Sequence, residues 1–448
     1  MSSAKAILGR HVSHLEQNGS HVFFNAVSGG YAVTDERGAA IVRLMQEASD
    51  EDVVIDRVAH DLSLDPVAAA ARYVAFTEGL RRRGLLERLA AAAEPNRIPY
   101  FGFIEVTRKC PTLCKVCAID TGRGSDEVLT LDEMRGLIDQ FKDIGIKYVA
   151  LTGGDPLMRD DLLAILAYAK KKGLGVGFSS SLVTLNEGVA RDLAAIGAQV
   201  QVSIDGSTRE TNDYNRGKGT FEKAMAGIEL LRKHGVEFRI AFCIMKHNVA
   251  DIPAMVDLAE RVGAKEVAFR KLKLLGRALE LKDEVYPGRQ DMAKAYATLY
   301  RKAYGRKPEA MRINSKFTEV LFGGRGPYFD ILPCGAGRNI IHVTYKGDIV
   351  PCSLFTEDKF VQGNIRKDKV ADVWERSPLL RFFRDTRVDD IPKCRACTYK
   401  YLCGGGCRAE AYFLHGNLMA DCCDCEDLLA FYGYIFGHAA KAEQPLLV

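Results

Sequence analysis

Apolar and polar residues follow two different periods along the chain, and the period changes repeatedly between residues 100 and 275. Short apolar runs typical of buried strands alternate with segments whose apolar residues recur every three or four positions, as in amphipathic helices. The predicted strands are 100–106, 147–152, 174–179, 199–204, 237–245 and 265–272. The predicted helices lie near 130–143, 160–172, 187–196, 219–234 and 250–262. These six β-α units predict an α/β fold, a partial (β/α)6 TIM-like barrel at 100–275 with its chemistry at the carboxyl ends of the strands.

The segments on either side of this barrel have patterns of their own. Residues 1–90 predict a small winged-helix-like α+β domain, and Pro95 lies in an Ala-rich linker at 91–99. Its predicted elements are strands at 21–25 and 30–34 and helices beginning near Arg37, after Asp50 and at Asp65. After the barrel we predict a connecting helical region at 276–333. A third domain at 334–448 opens with a hairpin at 339–352, whose turn lies at Lys346-Gly347.

Composition limits the partners and the compartment. The 448 residues carry a net charge of only +4, which favours neither nucleic-acid nor membrane binding. No apolar run is long enough to span a bilayer, and the N-terminus lacks the apolar core of a signal peptide. The thirteen cysteines are therefore expected to be metal ligands in a reducing cytoplasm, where disulfides are rare.

Three of these cysteines follow the first predicted barrel strand at close spacing. Cys110, Cys114 and Cys117 form a Cys-x3-Cys-x2-Cys loop. Three thiolates can hold three irons of a 4Fe–4S cluster, whose usual complement is four cysteines, and the fourth iron is left to bind a small molecule. A zinc site is the alternative, but structural zinc prefers four ligands, typically in two closely spaced pairs.

Polar motifs follow two further strands of the barrel. Gly153-Gly154-Asp155-Pro156 comes after the second strand, where glycines let the backbone approach a ligand; a plain turn is the alternative. Ser203 ends the fourth strand, and Arg216 follows with a guanidinium that matches a carboxylate bidentately. Asp205 is interpreted either as part of this motif or as the residue of an Asx turn.

The remaining cysteines cluster near the C-terminus. Cys243 alternates with apolar neighbours and is interpreted as a core thiol. The C-terminal set of seven comprises Cys334, Cys352, Cys394, Cys397, Cys403, Cys407 and Cys425. Two zinc ribbons are the alternative interpretation of this set, and iron content separates the two. His342 and His415 are expected to be ordinary polar residues.

The cysteine loop and the Gly-Gly-Asp-Pro motif resemble the radical S-adenosylmethionine (AdoMet) superfamily. The resemblance implies that Cys110, Cys114 and Cys117 bind a 4Fe–4S cluster whose free iron chelates AdoMet. It further implies that the Gly153–Asp155 motif (Gly153, Gly154, Asp155) holds the AdoMet amine, and that Ser203 and Arg216 contact its ribose and carboxylate. Val116 and Ala118 depart from the family, which commonly has aromatic residues there, so adenine contacts are expected from elsewhere.

The C-terminal set resembles the SPASM domain, which binds two auxiliary iron–sulfur clusters. The resemblance implies three clusters in all, the auxiliary pair being 4Fe–4S as well. It assigns Cys394, Cys397, Cys403 and Cys425 to an outer cluster, and Cys334, Cys352 and Cys407 to an inner one. A residue near 328–330 could supply the fourth inner ligand, and Cys422 or Cys423 could replace Cys425.

Residues 1–90 resemble PqqD-like domains, which bind a leader peptide as an added strand on a sheet edge; an oligomerisation or winged-helix module is the alternative. Together the three resemblances imply a cytoplasmic radical AdoMet oxidoreductase that forms a 5′-deoxyadenosyl radical and oxidises, and so cross-links, a ribosomally made precursor peptide. The implied partners are that precursor with its leader and a flavodoxin- or ferredoxin-type electron donor. The alternatives are an oxidase of a tetrapyrrole or other small molecule, a sulfatase-maturing formylglycine-forming enzyme, and a non-catalytic iron–sulfur scaffold.

Overall fold

The computed structural model describes residues 12–17, 19–27, 30–47, 51–86, 98–122, 127–303, 310–315, 334–355, 357–422 and 425–442. Its strands are β1 Val12–Gln17, β2 Ser20–Asn25, β3 Tyr31–Thr34, β4 Phe101–Thr107, β5 Tyr148–Gly153, β6 Gly175–Ser180, β7 Gln199–Ser203, β8 Phe238–Ile244, β9 Glu266–Lys271, β10 Arg312–Ser315, β11 Ile340–Val343, β12 Asp348–Val350 and β13 Gly363–Asn364. They form a three-stranded sheet, β1-β2-β3, and a ten-stranded sheet in the order β10-β9-β8-β7-β6-β5-β4-β11-β12-β13.

The helices alternate with the strands of the barrel and dominate the two flanking regions. They are Glu36–Glu47, Glu51–Leu62, Pro66–Arg82, Leu131–Asp143, Leu162–Lys171, Glu187–Ile196, Arg209–Arg216, Thr220–Lys233, Ile252–Arg261, Arg277–Glu280, Lys282–Val285, Arg289–Ala303, Val370–Arg376, Pro378–Asp385, Pro392–Arg395, Lys400–Cys403, Arg408–His415 and Cys425–Ala442. Within the part of the chain that is described, no helix is both long and apolar enough to cross a membrane.

Strands β4 to β9 pair in parallel and in chain order, which confirms the six predicted barrel strands. The first barrel helix shows how local sequence fixes these elements. Thr130 accepts a hydrogen bond from the Glu133 N–H (3.2 Å), and Glu133 accepts one from the Thr130 N–H (2.7 Å), which is a capping box. Met134, Leu137 and Phe141 then recur at helical spacing and are buried against the sheet.

Two short strands extend the barrel sheet at its two ends, β10, which the sequence pattern did not predict, and β11, whose pairing with the barrel it did not predict. Strand β10 pairs in parallel with β9, inside the region predicted to be helical. Strand β11, the first strand of the predicted hairpin, pairs in parallel with β4. The hairpin itself is confirmed, because β11 and β12 pair antiparallel around the predicted turn. The C-terminal region is therefore joined to the barrel by a continuous sheet.

The N-terminal region packs on the C-terminal end of the chain. Its sheet contains one strand more than predicted, β1, which pairs with β2. One face of this sheet, including Val22 and Phe24, is buried in the same core as Phe431 of the helix Cys425–Ala442. The opposite face, including Phe23 and Ala32, forms a separate core with the helices of its own region.

Candidate functional site

The cysteine loop lies at the carboxyl end of β4, as predicted. The hydroxyl of Thr112 lies between two of its sulfurs, 3.3 Å from Cys110 Sγ and 3.5 Å from Cys114 Sγ. Thr121 contacts the third sulfur, because its backbone N–H donates to Cys117 Sγ (3.4 Å) and its hydroxyl lies 3.4 Å away. All three thiols are partly buried and free of disulfides.

Other elements hold this loop by its backbone. The N–H groups of Lys115 and Val116 donate to the backbone and side-chain oxygens of Asn215 (2.9 and 3.2 Å). Arg277 Nε donates to Cys114 O (2.9 Å), and the Arg277 N–H donates to Cys117 O (3.1 Å). The second half of the loop, from Cys114 to Cys117, is thus fixed by residues more than 95 positions away in the sequence.

The protein alone does not favour ionisation of all three thiols. Burial raises the pKa of Cys110 despite its contact with Thr112. Burial also acts to raise the pKa of Cys117, but hydrogen bonds from Thr121 and Ile119 and the charge of Arg277 outweigh it, so the pKa of Cys117 is lowered. A bound metal deprotonates its thiols outright and would remove this difference.

Gly153 and Gly154 bring β5 against the end of β4. A Cβ at Gly153 would lie 2.2 Å from Thr107 O, and the backbone there has φ +130°. A Cβ at Gly154 would lie 2.0 Å from Lys109 O. The Gly154 N–H donates to Thr107 O (2.7 Å). In this structure the glycines let the backbone approach the root of the cysteine loop, a contact that the sequence interpretation had assigned to a ligand.

The carboxylate of Asp155 is buried and bound to the protein. It accepts hydrogen bonds from Ser180 Oγ (2.8 Å), Ser181 Oγ (2.6 Å), the Ser181 N–H (2.9 Å) and the Leu157 N–H (3.2 Å). Four donors occupy the lone pairs of this carboxylate. What this motif offers a ligand is therefore the backbone of the Gly153–Asp155 segment.

A buried ion pair lies beside the cysteine loop. Arg216 Nε is 2.7 Å from Asp205 Oδ2, and Arg216 Nη1 is 4.0 Å from Cys114 Sγ. Asp205 is completely buried and also accepts from Asn215 Nδ2 (2.6 Å) and the Cys243 N–H (2.8 Å). The Asx-turn interpretation of Asp205 is wrong. Burial acts to lower the pKa of Arg216, but the charges of Asp205 and Cys114 raise it overall.

Ser203 and Cys243 lie on neighbouring strands near this pair. Ser203, at the end of β7, is half-buried and pairs in register with Ala241. Cys243 packs partly buried against a small apolar cluster that includes Val116 and Met245. Burial raises the pKa of the Cys243 thiol, and the charge of Asp205 adds to the effect. Cys243 is therefore a neutral thiol at the wall of the site.

Four cysteines of the C-terminal set line one cavity of about 350 Å³. They are Cys394, Cys397, Cys403 and Cys425. Burial raises the pKa of Cys394 to about 11. Cys422 lies 3.8 Å from Cys425, sulfur to sulfur, but does not line the cavity, and Cys423 lies outside the described residues. The structure thus brings together the four residues that the resemblance assigned to the outer cluster.

Cys334, Cys352 and Cys407 form a second group. They lie in one apolar cluster with Phe355 and Phe383. Burial raises the pKa of Cys352 well above the usual range of a thiol, and the nearby Cys334 and Cys407 add to this effect. The predicted source of a fourth ligand, residues 328–330, lies outside the described residues.

Two buried charges beside Cys407 escaped the sequence analysis. The Arg408 side chain is fully buried and donates to the carbonyls of Leu418 (2.9 Å), Ala420 (2.7 Å) and Gly405, whereas its Nε has no hydrogen-bond partner among the described residues. Glu410 is also fully buried; it binds Lys273 Nζ and accepts from the Leu274 N–H (3.3 Å). The only feature of the sequence that pointed to Arg408 and Glu410 was their position just after Cys407, which is a predicted ligand.

The donor set suits iron–sulfur clusters better than single metal ions. Within the described ranges, no three His, Cys, Asp or Glu side chains converge on a position that could hold one metal ion, as a zinc site requires. Each iron of a cluster takes a single thiolate, so the cysteines are spread around a larger group. The cavity lined by four cysteines and the buried cation of Arg408, which can balance an anionic cluster, fit such a group.

A cavity of about 560 Å³ lies inside the barrel, toward the amino ends of its strands, where Tyr148, Gln199 and Glu266 line it. Small residues at the middle of its strands, Ala150 and Gly177, leave this space open. One part of its wall offers neutral polar groups, in which Tyr148 OH donates to Gln199 Oε1 (3.1 Å) and Gln201 Nε2 donates to Ser179 Oγ (3.0 Å). We call this cavity the barrel chamber.

Comparison with known proteins gives two domain matches and several relatives. Residues 104–259 match the model of the radical SAM superfamily, and residues 334–398 match SPASM, an iron–sulfur cluster-binding domain. The chain is 30% identical over 312 residues to the mycofactocin maturase MftC of Mycobacterium ulcerans, which covers 69% of this chain and 83% of the relative. It is 32% identical over 332 residues to the AdoMet-dependent heme synthase of Nitratidesulfovibrio vulgaris, covering 71% and 89%.

Among solved structures, Streptococcus suis SuiB bound to its precursor peptide SuiA superposes with a TM-score of 0.61. The superposition covers 93% of this chain and 98% of SuiB, at 15% sequence identity. At that identity the likeness concerns the fold, and it extends beyond the part of the chain that matches the two sequence relatives.

Proposed function

Because this chain belongs to the radical SAM superfamily and carries an SPASM iron–sulfur domain, it is an enzyme that uses AdoMet and iron–sulfur clusters, and we propose that it oxidises a ribosomally made precursor peptide. In this proposal the precursor binds through a leader to the N-terminal region, and its core enters the barrel chamber. The expected product is an oxidised, cross-linked peptide.

The proposed ligands follow the three cysteine groups of the structure. Cys110, Cys114 and Cys117 would hold the AdoMet cluster, the four cysteines of the 350 Å³ cavity the outer auxiliary cluster, and Cys334, Cys352 and Cys407 the inner one. When bound, these groups supply a 5′-deoxyadenosyl radical for hydrogen abstraction and an acceptor for the remaining electron. A flavodoxin- or ferredoxin-type protein is the proposed electron donor, and the free thiols of the described cysteines suit a reducing cytoplasm.

The residues around the cysteine loop position and shield the reactants in this proposal. The backbone of the Gly153–Asp155 segment and the side chains of Ser203 and Arg216 would orient AdoMet. Asp205 holds Arg216 by its Nε, and Nη1 of the same guanidinium lies 4.0 Å from Cys114 Sγ. The polar wall of the chamber offers hydroxyl and amide groups that can bind a peptide backbone.

The observation that carries the peptide proposal is the position of β3 at one edge of the N-terminal sheet, as far as the described strands show. Within the described chain no strand pairs with β3 on the side opposite β2. The Asn25 N–H donates to Gly30 O (2.8 Å), so by the antiparallel alternation the N–H groups of Tyr31 and Val33 point away from β2. An extended peptide can add to such an edge as a further strand. The fold likeness to SuiB, which is named with a bound precursor peptide, supports this proposal.

A tetrapyrrole oxidase is the second candidate. The heme synthase of N. vulgaris is about as similar to this chain as the mycofactocin maturase is, and this similarity is the observation in its favour. A macrocycle would bind in the barrel chamber, but it cannot add to the edge of β3 as a further strand. Leader binding therefore separates the two candidates.

The test is peptide binding to the full-length, cluster-loaded protein. Fluorescein-labelled peptides encoded by short open reading frames beside the gene are titrated anaerobically and followed by anisotropy. Tyr31→Pro removes one outward N–H from β3 at a strand start, where proline is tolerated, and we expect it to weaken the binding of one such leader about tenfold. The matched control is Glu16→Pro, which acts on the opposite edge of the sheet and should leave the affinity unchanged. Equal affinities in the two variants would count against the strand-addition site.

A further inference from the structure

Two threonine side chains contact the sulfurs of the cysteine loop. Thr112 Oγ1 lies 3.3 Å from Cys110 Sγ and 3.5 Å from Cys114 Sγ. Thr121 Oγ1 lies 3.4 Å from Cys117 Sγ, which also accepts from the Thr121 backbone N–H at 3.4 Å. Each of the three sulfurs therefore has a threonine hydroxyl within hydrogen-bonding distance.

Both threonines are buried, and the second is fixed by a residue distant in the sequence. Thr112 and Thr121 are each 4% exposed. Arg277 Nη1 donates to the Thr121 carbonyl (2.9 Å), and Nε of the same side chain donates to the Cys114 carbonyl (2.9 Å). The hydroxyls are therefore shielded from water, and a hydrogen bond in such a place is stronger than one at an exposed position.

The direction of these hydrogen bonds follows from the chemistry of a bound cluster. A coordinating thiol is deprotonated, and a thiolate sulfur can only accept, so the threonine hydroxyls donate. Reduction adds one electron and makes the cluster with its thiolates more negative. A donated hydrogen bond stabilises the more negative state better and therefore raises the reduction potential.

The loop distributes these donors unequally. A hydroxyl has one proton, so Thr112 can donate to only one of Cys110 and Cys114 at a time. Cys117 is contacted by both the hydroxyl and the backbone N–H of Thr121. Removal of the Thr121 hydroxyl leaves this N–H in place, whereas removal of the Thr112 hydroxyl abolishes its contact with both sulfurs. We therefore expect a larger effect at Thr112.

We infer that the hydroxyls of Thr112 and Thr121 raise the reduction potential of the cluster bound by the cysteine loop, and so determine how readily the electron donor reduces it. The inference rests on the proposed ligation of the AdoMet cluster by Cys110, Cys114 and Cys117, and it holds whichever substrate the enzyme oxidises. The two threonines are positioning residues, because they act through the cysteine sulfurs.

The test is a redox titration of the full-length, cluster-loaded protein with dithionite, followed by electron paramagnetic resonance. Thr112→Val and Thr121→Val keep the branched shape of the side chain and remove the hydroxyl, whereas Thr112→Ser and Thr121→Ser keep the hydroxyl. The signal of the AdoMet cluster is the part of the spectrum that Cys114→Ala lacks. Thr77→Val is the control, since the Thr77 hydroxyl donates to the Val74 carbonyl (3.0 Å) in the N-terminal region.

We expect Thr112→Val to lower the ratio of reduced to oxidised AdoMet cluster about tenfold at a fixed potential, a typical effect of one hydrogen bond to a charged group. For a one-electron couple this corresponds to a reduction potential lower by about 59 mV. Thr121→Val should lower the potential by less. The two Ser variants and Thr77→Val should keep the wild-type potential, and every threonine variant should keep the wild-type iron content.

Wild-type potentials in both Val variants at Thr112 and Thr121 would overturn the inference. Ser variants whose potentials shift as far as those of the Val variants would also overturn it, because the hydroxyl would then not be the cause. A loss of iron in these Val variants would overturn it in favour of a role in cluster assembly. A complete wild-type spectrum in Cys114→Ala would instead contradict the proposed ligands. The ligand assignment and the role of the threonines can therefore fail separately.

Discussion

Asp205 is the residue on which the geometry around the cysteine loop depends. It is completely buried, it pairs with Arg216 at 2.7 Å, and it binds strand β8 through the Cys243 N–H. A buried charge whose partner is removed costs much more than the pair contributes while it is intact. The effect of removing this carboxylate should therefore be large and should depend on Arg216.

We predict that Asp205→Asn destabilises the protein by about 3 kcal/mol, because it leaves the buried guanidinium of Arg216 without a counter-charge. The thermal unfolding midpoint of the cluster-free chain is the measurement. Asp192→Asn, which changes an exposed partner of Arg191, is the control and should not shift the midpoint. The double variant Asp205→Asn/Arg216→Gln should recover part of the loss; a purely additive double variant would contradict the pairing.

A second prediction concerns the buried carboxylate beside Cys407. Glu410→Gln should release Lys273 from the helix Arg408–His415 and lower the stability by about 2 kcal/mol. It should also lower the iron content, since Glu410 joins the segment after β9 to the helix that begins next to Cys407. Glu375→Gln, at an exposed position of the same region, is the matched control. If the iron content of Glu410→Gln equals that of the wild type, Glu410 does not support the cysteine group that contains Cys407.

The sequence predicted the cysteines and missed the charges that surround them. The outer group of Cys394, Cys397, Cys403 and Cys425 followed from the family resemblance, because spacing alone would also include Cys407, which comes soon after Cys403. The structure brings those four cysteines to one cavity. The contacts of Arg277 with the cysteine loop and of Glu410 with Lys273 span more than 130 positions. No local pattern encodes such pairs, because each of these residues lies in a segment that looks like an ordinary helix or loop when it is considered alone.

At the scale of elements, Gly153 and Gly154 set the distance between the ends of β4 and β5. The two strands are paired along their length, and a register shift between Glu105 and Thr107 comes just before the cysteine loop. The glycines let β5 turn against this irregular end of β4. Any side chain there would push the backbone that carries Cys110.

We predict that Gly154→Ala displaces the cysteine loop, because the new Cβ would lie 2.0 Å from the carbonyl oxygen of Lys109, a backbone atom that cannot rotate away. The variant should lose AdoMet cleavage and part of its iron. The iron bound by the C-terminal cysteine groups should be retained. Gly136→Ala is the control, because a Cβ at Gly136 would meet no described atom within 4 Å and alanine favours a helix. Wild-type iron content in Gly154→Ala would contradict this packing role.

The barrel strands and the hairpin were predictable from local pattern, whereas strand β10 and the pairing of β11 with β4 were not. The six barrel strands are five to seven residues long, and the apolar residues in each of them are visible directly in the sequence. Strand β10 has only four residues and is a strand because it pairs with β9, and the pairing of the hairpin strand β11 with β4 likewise has no local signal. Tertiary pairing of this kind outweighs local propensity and leaves little trace in composition.

At the scale of the whole molecule, the helix Cys425–Ala442 connects regions that the sequence suggested were separate. It begins at a predicted ligand of the outer cluster, and Phe431 on the same helix is buried in a core with Val22 and Phe24 of the N-terminal sheet. The N-terminal region is therefore packed against the cluster region, and among the described strands β3 lies at one edge of its sheet. This arrangement can hold a tethered peptide close to the enzyme and raise its effective concentration.

The central claim, that this enzyme modifies a ribosomally made peptide, is tested most directly by anaerobic co-expression with each short open reading frame encoded beside it. The measurement is the intact mass of every peptide. We predict that one peptide loses two hydrogens, that Cys114→Ala abolishes the change, and that Tyr31→Pro reduces it strongly while Glu16→Pro does not. If no peptide changes mass although the protein still cleaves AdoMet, the peptide function is contradicted and a small-molecule substrate takes its place.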